Sequence, residues 1–210
     1  FEDGLIVKGT VSIRNVKIPL SIIEDMEPSM AQTIGNMTNE ETFLISTGSS
    51  INFDTKARTY NYDLDFSASG FGGIKFEVGL ADMDFQVIKD AAKSQNIIEA
   101  LAVWPEIFED IAISSIKINY NDQELADTLL QEMSDEDEII EMAEMPLEMF
   151  LEQYQSEKAL LLEAIKSFLK GKNSFMLSMT TNTPIKLKDV EMLFMEGDLT
   201  KAAKFDFQGN

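Results

Sequence analysis

Residues 60–80 alternate between apolar and polar side chains in two runs that a glycine-rich segment separates. In a β-strand, successive side chains point to opposite faces, so a period of two gives each run one buried and one solvated face. The pattern predicts an antiparallel hairpin of strands 58–68 and 73–82, which commits the fold to a half-buried sheet. The apolar positions, predicted to share one face, are Tyr60, Tyr62, Leu64 and Phe66 in the first run and Ile74, Phe76, Val78 and Leu80 in the second.

Weaker alternation elsewhere predicts more strands of the same sheet. In residues 5–20 the phase of the alternation changes after Ile13, which predicts a β-bulge near Asn15. We expect an α+β fold with a curved antiparallel sheet of about six or seven strands and helices packed on one face. The remaining strand-like runs are 42–53, 113–120, 174–181 and 203–208.

Two longer stretches carry the signals of helices instead. Residues 86–111 and 122–170 are predicted to be a helical subregion, and Ser134 is a candidate N-cap within the second stretch. Strand runs therefore lead twice into helices and back, without a regular βαβ alternation. We expect residues 1–210 to form a single domain, which suits their length.

Composition excludes several chemistries. The chain has no His and no Cys, so it cannot build a Ser-His-Asp triad, a Cys nucleophile or an imidazole or thiolate zinc site. Its 17 Lys and Arg against 37 Asp and Glu give a net charge of −20, which opposes binding to nucleic acid. We expect no cofactor, no transmembrane segment and no nucleic-acid partner. A first residue of Phe1 suggests a processed product.

The acidic charge is concentrated in residues 122–157, which hold 13 acids and no Lys or Arg. The run Ser134–Glu138 lacks the glycine and the twelfth-position glutamate of an EF-hand, so it predicts a solvated helix start. Asp63 and Asp65 follow the solvated side of a strand. We therefore assign no metal ligand and no catalytic residue from the sequence.

The predicted helix over 135–154 carries two adjacent apolar stripes. Met142, Met145 and Met149 recur at i, i+3 and i+7, and Phe150 belongs to the second stripe. Together the stripes cover more circumference than one packed face requires. Two interpretations stay open: a helix packed on two sides, or the wall of a groove, since methionine adapts to varied apolar ligands. Pro146 should kink or split this helix.

Two segments carry a resemblance to a known group of proteins. Residues 115–127 read as a strand that enters a helix, and residues 60–66 as a strand followed by a glycine turn. Their order resembles that of exported β-rich envelope proteins of Gram-negative bacteria, of the AsmA-like and YdgA-like kind. The resemblance implies a periplasmic location, no known catalytic residues, and curved sheets that handle lipid or other apolar molecules.

The leading hypothesis is a non-catalytic binding module of the bacterial envelope. It would hold an apolar ligand, such as a lipid or acyl chain, or a protein partner, between sheet and helices. The alternatives are a carboxylate-based enzyme, with or without a divalent cation, and a structural domain of a larger protein. We expect a periplasmic or otherwise exported protein, with a cytoplasmic one still open. The candidate ligand-binding residues are Tyr62, Phe76, Met142, Met145, Met149, Phe150, Leu161 and Phe168.

Overall fold

The structure is a computed structural model that describes most but not all of the chain. The described residues are 7–26, 31–32, 35, 42–84, 86, 111–123, 126–127, 130, 136–171 and 173–210. Apart from its two end residues, the predicted helical segment 86–111 lies outside them. In the second predicted helical stretch, 122–170, residues 124–125, 128–129 and 131–135 lie outside them as well.

One seven-stranded antiparallel sheet organises the chain, as the sequence predicted. Its strands are ordered as they occur along the chain, so each pairs with the next, and the sheet formed by the described residues is open. The strands are β1 (Lys8–Pro19), β2 (Thr42–Asp54), β3 (Thr59–Ala68), β4 (Gly72–Ala81), β5 (Ala112–Asn121), β6 (Ser174–Lys186) and β7 (Ala203–Gly209).

The predicted hairpin is confirmed in its register. Tyr60 pairs with Leu80 and Phe66 with Ile74, so all eight apolar side chains lie on one face of β3 and β4. The predicted bulge is also confirmed, because the β1–β2 register shifts between Ile13 and Val16. Asn15 has a φ of 53°, a left-handed conformation that asparagine tolerates better than most residues.

Five helices lie within the described residues: α1 (Leu20–Met26), α2 (Glu136–Leu151), α3 (Gln155–Gly171), α4 (Leu187–Met195) and α5 (Leu199–Ala202). The predicted helix over 135–154 is three residues shorter at its C-terminal end. Pro146 does not split α2, which is continuous from Glu136 to Leu151. A proline removes only one helical hydrogen bond, and the contacts of α2 with α3 hold the helix together. None of the helices in this part of the chain is long and apolar enough to span a membrane.

The predicted strand 174–181 continues to Lys186. Its first part pairs with both neighbours, whereas its last residues pair only with β5, where Ile185 lies opposite Ile113. The β5–β6 register shifts between Ile113 and Ser115, where the pairing passes from the first part of β6 to its last residues.

The helices cover one end of the sheet more than the other. Helix α3 lies mainly along β7 and β6, where Phe168 meets the rings of Tyr120 and Phe175 at centroid distances of 5.8 and 6.3 Å. Gly209 on β7 lies against the α3 backbone, too close for any side chain. The β7 edge is thus tightly covered, and the main core lies between β5, β6 and the helices after them.

Candidate functional site

The apolar face of the sheet continues well beyond the strands that α3 covers. Ile13 on β1 lies opposite Thr47 on β2, which pairs with Phe66 on β3, which in turn pairs with Ile74 on β4. Six large side chains of this face are exposed, and we refer to them as the apolar patch. They are Val11 (69% exposed), Ile13 (55%), Val16 (42%), Leu64 (38%), Phe66 (41%) and Ile74 (44%).

Patches of several large apolar side chains are uncommon on monomeric soluble proteins and usually mark an interaction surface. The polar residue in the row, Thr47, donates its hydroxyl hydrogen bond to the Asp65 carbonyl at 3.1 Å. Its polar atom is therefore already paired. A ligand lying across β1–β4 would thus find a largely apolar surface.

The predicted ligand-binding residues lie on separate elements, two of them on the sheet and the others on α2 and α3. Tyr62 and Phe76 are half-buried on β3 and β4, and Phe76 lies directly opposite Leu64 of the apolar patch. Leu161 and Phe168 lie on α3, over the covered end of the sheet. Met142 on α2 is 61% exposed. Met145, Met149 and Phe150 belong to α2 by their backbone, but their side chains lie outside the described part of the structure.

A small apolar cavity of about 160 Å³ lies between the helices and strands β6 and β7. Leu161, Leu177 and Phe207 line it, together with the ring of Tyr154. The Tyr154 hydroxyl donates to the Phe194 carbonyl at 2.9 Å. Burial raises the pKa of this phenol above its usual value. Ligand cavities generally measure about 300–1,000 Å³, so this one is too small for an acyl chain.

The opposite, polar face of the sheet forms a second concavity of about 500 Å³, which we call the polar trough. It crosses β3 to β7 and combines amide, hydroxyl and charged side chains. Asp63, Glu77 and Lys117 lie side by side on neighbouring strands in one row. The sequence identified Asp63 only as part of a solvated strand face, because cross-strand rows cannot be read without the register.

A buried lysine joins the acidic helix α2 to α3. Lys158 is 8% exposed, and its Nζ lies 3.0 Å from Glu148 Oε1 and 3.5 Å from Glu144 Oε1. The hydrogen bond with Glu148 raises the pKa of Lys158, so the lysine stays charged. Part of the unusual acidic charge of this region is therefore compensated by one residue that follows it in sequence.

Acidic side chains do not converge into a metal site within the described ranges, where no group of three or more potential ligands is close enough to hold an ion. The described acids instead form hydrogen bonds or ion pairs at several separate places, such as Arg14 with Asp65 at 2.9 Å. The side chains of Arg14 and Asp65 are both exposed, so this pair contributes little to stability.

Comparison with protein families gives a match that includes most of the strands and helices described above. A family model described as "Uncharacterized protein" matches residues 65–208. The chain belongs to that family. The match runs from the end of β3 to β7, so it includes most of the polar trough and all of α2 and α3. It leaves out β1 and β2. A search of curated proteins gave no match.

Proposed function

We propose that this chain is a non-catalytic binding module that holds an acyl chain of a lipid against the apolar face of its sheet. The observation that carries the proposal is the apolar patch on β1, β3 and β4, whose six large side chains are 38–69% exposed. Tyr62 and Phe76 lie on the same face of β3 and β4, so they continue this surface along the strands. The ligand would thus lie on the open face of the sheet.

Apolar burial would supply the affinity. Phe66 exposes 41% of its side chain, and a phenylalanine has roughly 200 Å² to bury. Covering that fraction removes about 80 Å² from water, worth about 2 kcal/mol at about 25 cal/mol per Å². Six contributions of this size give about 12 kcal/mol, and an association cost of about 4 kcal/mol, at the lower end of its range, would leave about 8 kcal/mol, which corresponds to micromolar binding.

The charge of the protein favours single lipid molecules over a membrane surface as the ligand. A net charge of −20 repels anionic headgroups, which attract basic rather than acidic proteins. We also propose a location in the bacterial envelope, supported by the sequence resemblance described above. Fractionation of cells that express the native gene, with a periplasmic and a cytoplasmic marker, tests that location separately.

The binding proposal is tested by native mass spectrometry of the purified chain, followed by titration of the delipidated protein with a fluorescent fatty acid. Ile74→Thr keeps a β-branched side chain but adds a hydroxyl to the apolar patch. We expect it to weaken binding about tenfold, the equivalent of about 1.4 kcal/mol. The cost to folding should be small, since Ile74 is 44% exposed.

Ile22→Thr is the matched control, because Ile22 is 52% exposed but lies on α1 and not on the sheet. It should leave fatty-acid affinity unchanged. Equal loss in both variants, or no binding by the delipidated wild-type chain, would contradict the proposed function. Binding of a protein partner without any lipid would point to the patch as a protein interface instead.

A further inference from the structure

The polar trough is a concavity lined by residues of the five strands β3 to β7. Gly79 lies on β4, in the same cross-strand row as Asn61 and Ser115. A Cβ placed at Gly79 would lie 2.6 Å from Ser115 Oγ and 2.7 Å from Ser114 Oγ, closer than real contacts allow. The hydroxyls of Ser114 and Ser115 thus occupy the place that a side chain at Gly79 would take, and they bring polar groups to this part of the trough, whose volume is about 500 Å³.

The three acids of the trough already have partners. Asp63 accepts a hydrogen bond from Ser50 Oγ at 2.7 Å, and Asp206 accepts one from Gln208 Nε2 at 2.9 Å. The third acid, Glu77, forms an ion pair with Lys75, at 2.6 Å. A cationic ligand would therefore compete with existing contacts for these carboxylates.

The trough groups that remain available are mainly neutral. Asn61, Ser115, Ser178 and Thr180 make no side-chain hydrogen bond within the described part of the chain, and Lys117 makes no ion pair there. Hydroxyl and amide groups both donate and accept hydrogen bonds, and the hydroxyl groups of a sugar do the same. The available chemistry therefore matches a polyhydroxylated ligand better than an ionic one.

We propose that the polar trough binds a neutral oligosaccharide. The sugar would lie across β3 to β7, with its hydroxyl groups bonded to Asn61, Ser115, Ser178 and Thr180. Lys117, which lies opposite Ser178, would add a charged donor. This site lies on the face opposite the apolar patch, so it does not depend on the proposed acyl-chain site.

The test is a titration of the isotope-labelled protein with maltotriose, cellotriose and chitotriose, each to about 10 mM, followed by amide NMR. Sugar sites with millimolar affinity are measurable in this range. We expect at least one trisaccharide to shift amides of the trough strands in a saturable way. The double variant Ser178→Ala/Thr180→Val should weaken that binding about tenfold, because two hydrogen bonds are lost.

The control, Ser12→Ala/Thr10→Val, makes the same two changes on the same polar face but on β1, outside the trough. It should bind the trisaccharide with unchanged affinity. The proposal would be overturned if none of the three sugars shifted the trough amides, or if the trough variant bound the sugar with the affinity of the wild type. Tighter binding of spermidine at the same amides would also overturn it, since the site would then recognise charge. Fatty-acid binding tests the apolar patch independently.

Discussion

Tyr154 connects the helical layer to the sheet, and its replacement separates two contributions to stability. The residue lies between α2 and α3, is 4% exposed, and its ring is 5.4 Å from that of Phe194. Its hydroxyl donates to the Phe194 carbonyl, which also accepts from the backbone N–H of Gly197 at 3.2 Å. Tyr154→Phe therefore removes the hydroxyl's contacts with Phe194 and, at 3.3 Å, with the Leu193 carbonyl, while both carbonyls keep a backbone N–H donor. We expect a loss of about 1 kcal/mol.

Tyr154→Ala removes the ring as well, beside a cavity that already measures about 160 Å³. Deletion of a buried aromatic ring costs about 3–5 kcal/mol, since the transfer and cavity terms add. A loss of 1 kcal/mol lowers the melting temperature by about 2–4 °C for a chain of this size. The alanine variant should therefore melt about 6–20 °C below the wild type.

Urea unfolding followed by far-ultraviolet circular dichroism gives both free energies, provided the slopes are equal. We expect the free energy of unfolding to be clearly lower for Tyr154→Ala than for Tyr154→Phe. If Tyr154→Phe lowered the free energy of unfolding as much as Tyr154→Ala, the hydroxyl and not the ring would make the main contribution of Tyr154 to stability. If Tyr154→Ala cost less than about 1 kcal/mol, Tyr154 would not be part of the core at all.

Three further predictions concern charge and local stability. Lys158→Met should lower the free energy of unfolding at neutral pH. The pKa of Lys158 is raised in the folded protein above its value of 10.5 in the unfolded chain, so the charged lysine stabilises the fold fully below pH 10.5. The wild type should lose this stabilisation as the pH rises above that value. Urea unfolding from pH 7 to 11 checks this, and parallel curves for both proteins would refute it. Burial raises the pKa of three phenols, those of Tyr60, Tyr120 and Tyr154. They should therefore ionise above pH 10 in the native protein but near pH 10 in urea, as measured by absorbance at 295 nm. Amides of residues 138–152 should exchange faster than those of 60–80, because like-charged glutamates follow one another along α2. Equal protection of the two segments, measured by hydrogen-exchange mass spectrometry, would contradict that expectation.

The sheet could be predicted from the sequence because its signal is local. The alternation over 60–80 fixed both strands and their shared face, and the phase change near Asn15 located the bulge. The C-terminal part of β6 was missed, since it pairs only with β5 and its polar composition resembles a loop. A strand of that kind depends on tertiary pairing, which overrides local propensity.

The candidate site was less predictable for a similar reason. Sequence alternation identifies the apolar face of a strand, but it cannot show which part of that face the helices cover. Leu64, Phe66 and Ile74 carry the same alternation as buried positions, yet they stay exposed because α3 lies over β6 and β7. The polar trough depends on register and on Gly79, neither of which forms a motif along the chain.

The most direct test of the acyl-chain site is a methyl-NMR titration of the delipidated protein with a fatty acid. The account predicts saturable shifts at methyl groups of the apolar patch, measured at Val11, Ile13, Leu64 and Ile74. The methyl groups of Ile185, which is 6% exposed in the main core, should stay unchanged. Shifts confined to residues around the 160 Å³ cavity, or no shifts at all, would contradict an acyl-chain site on the open face of the sheet.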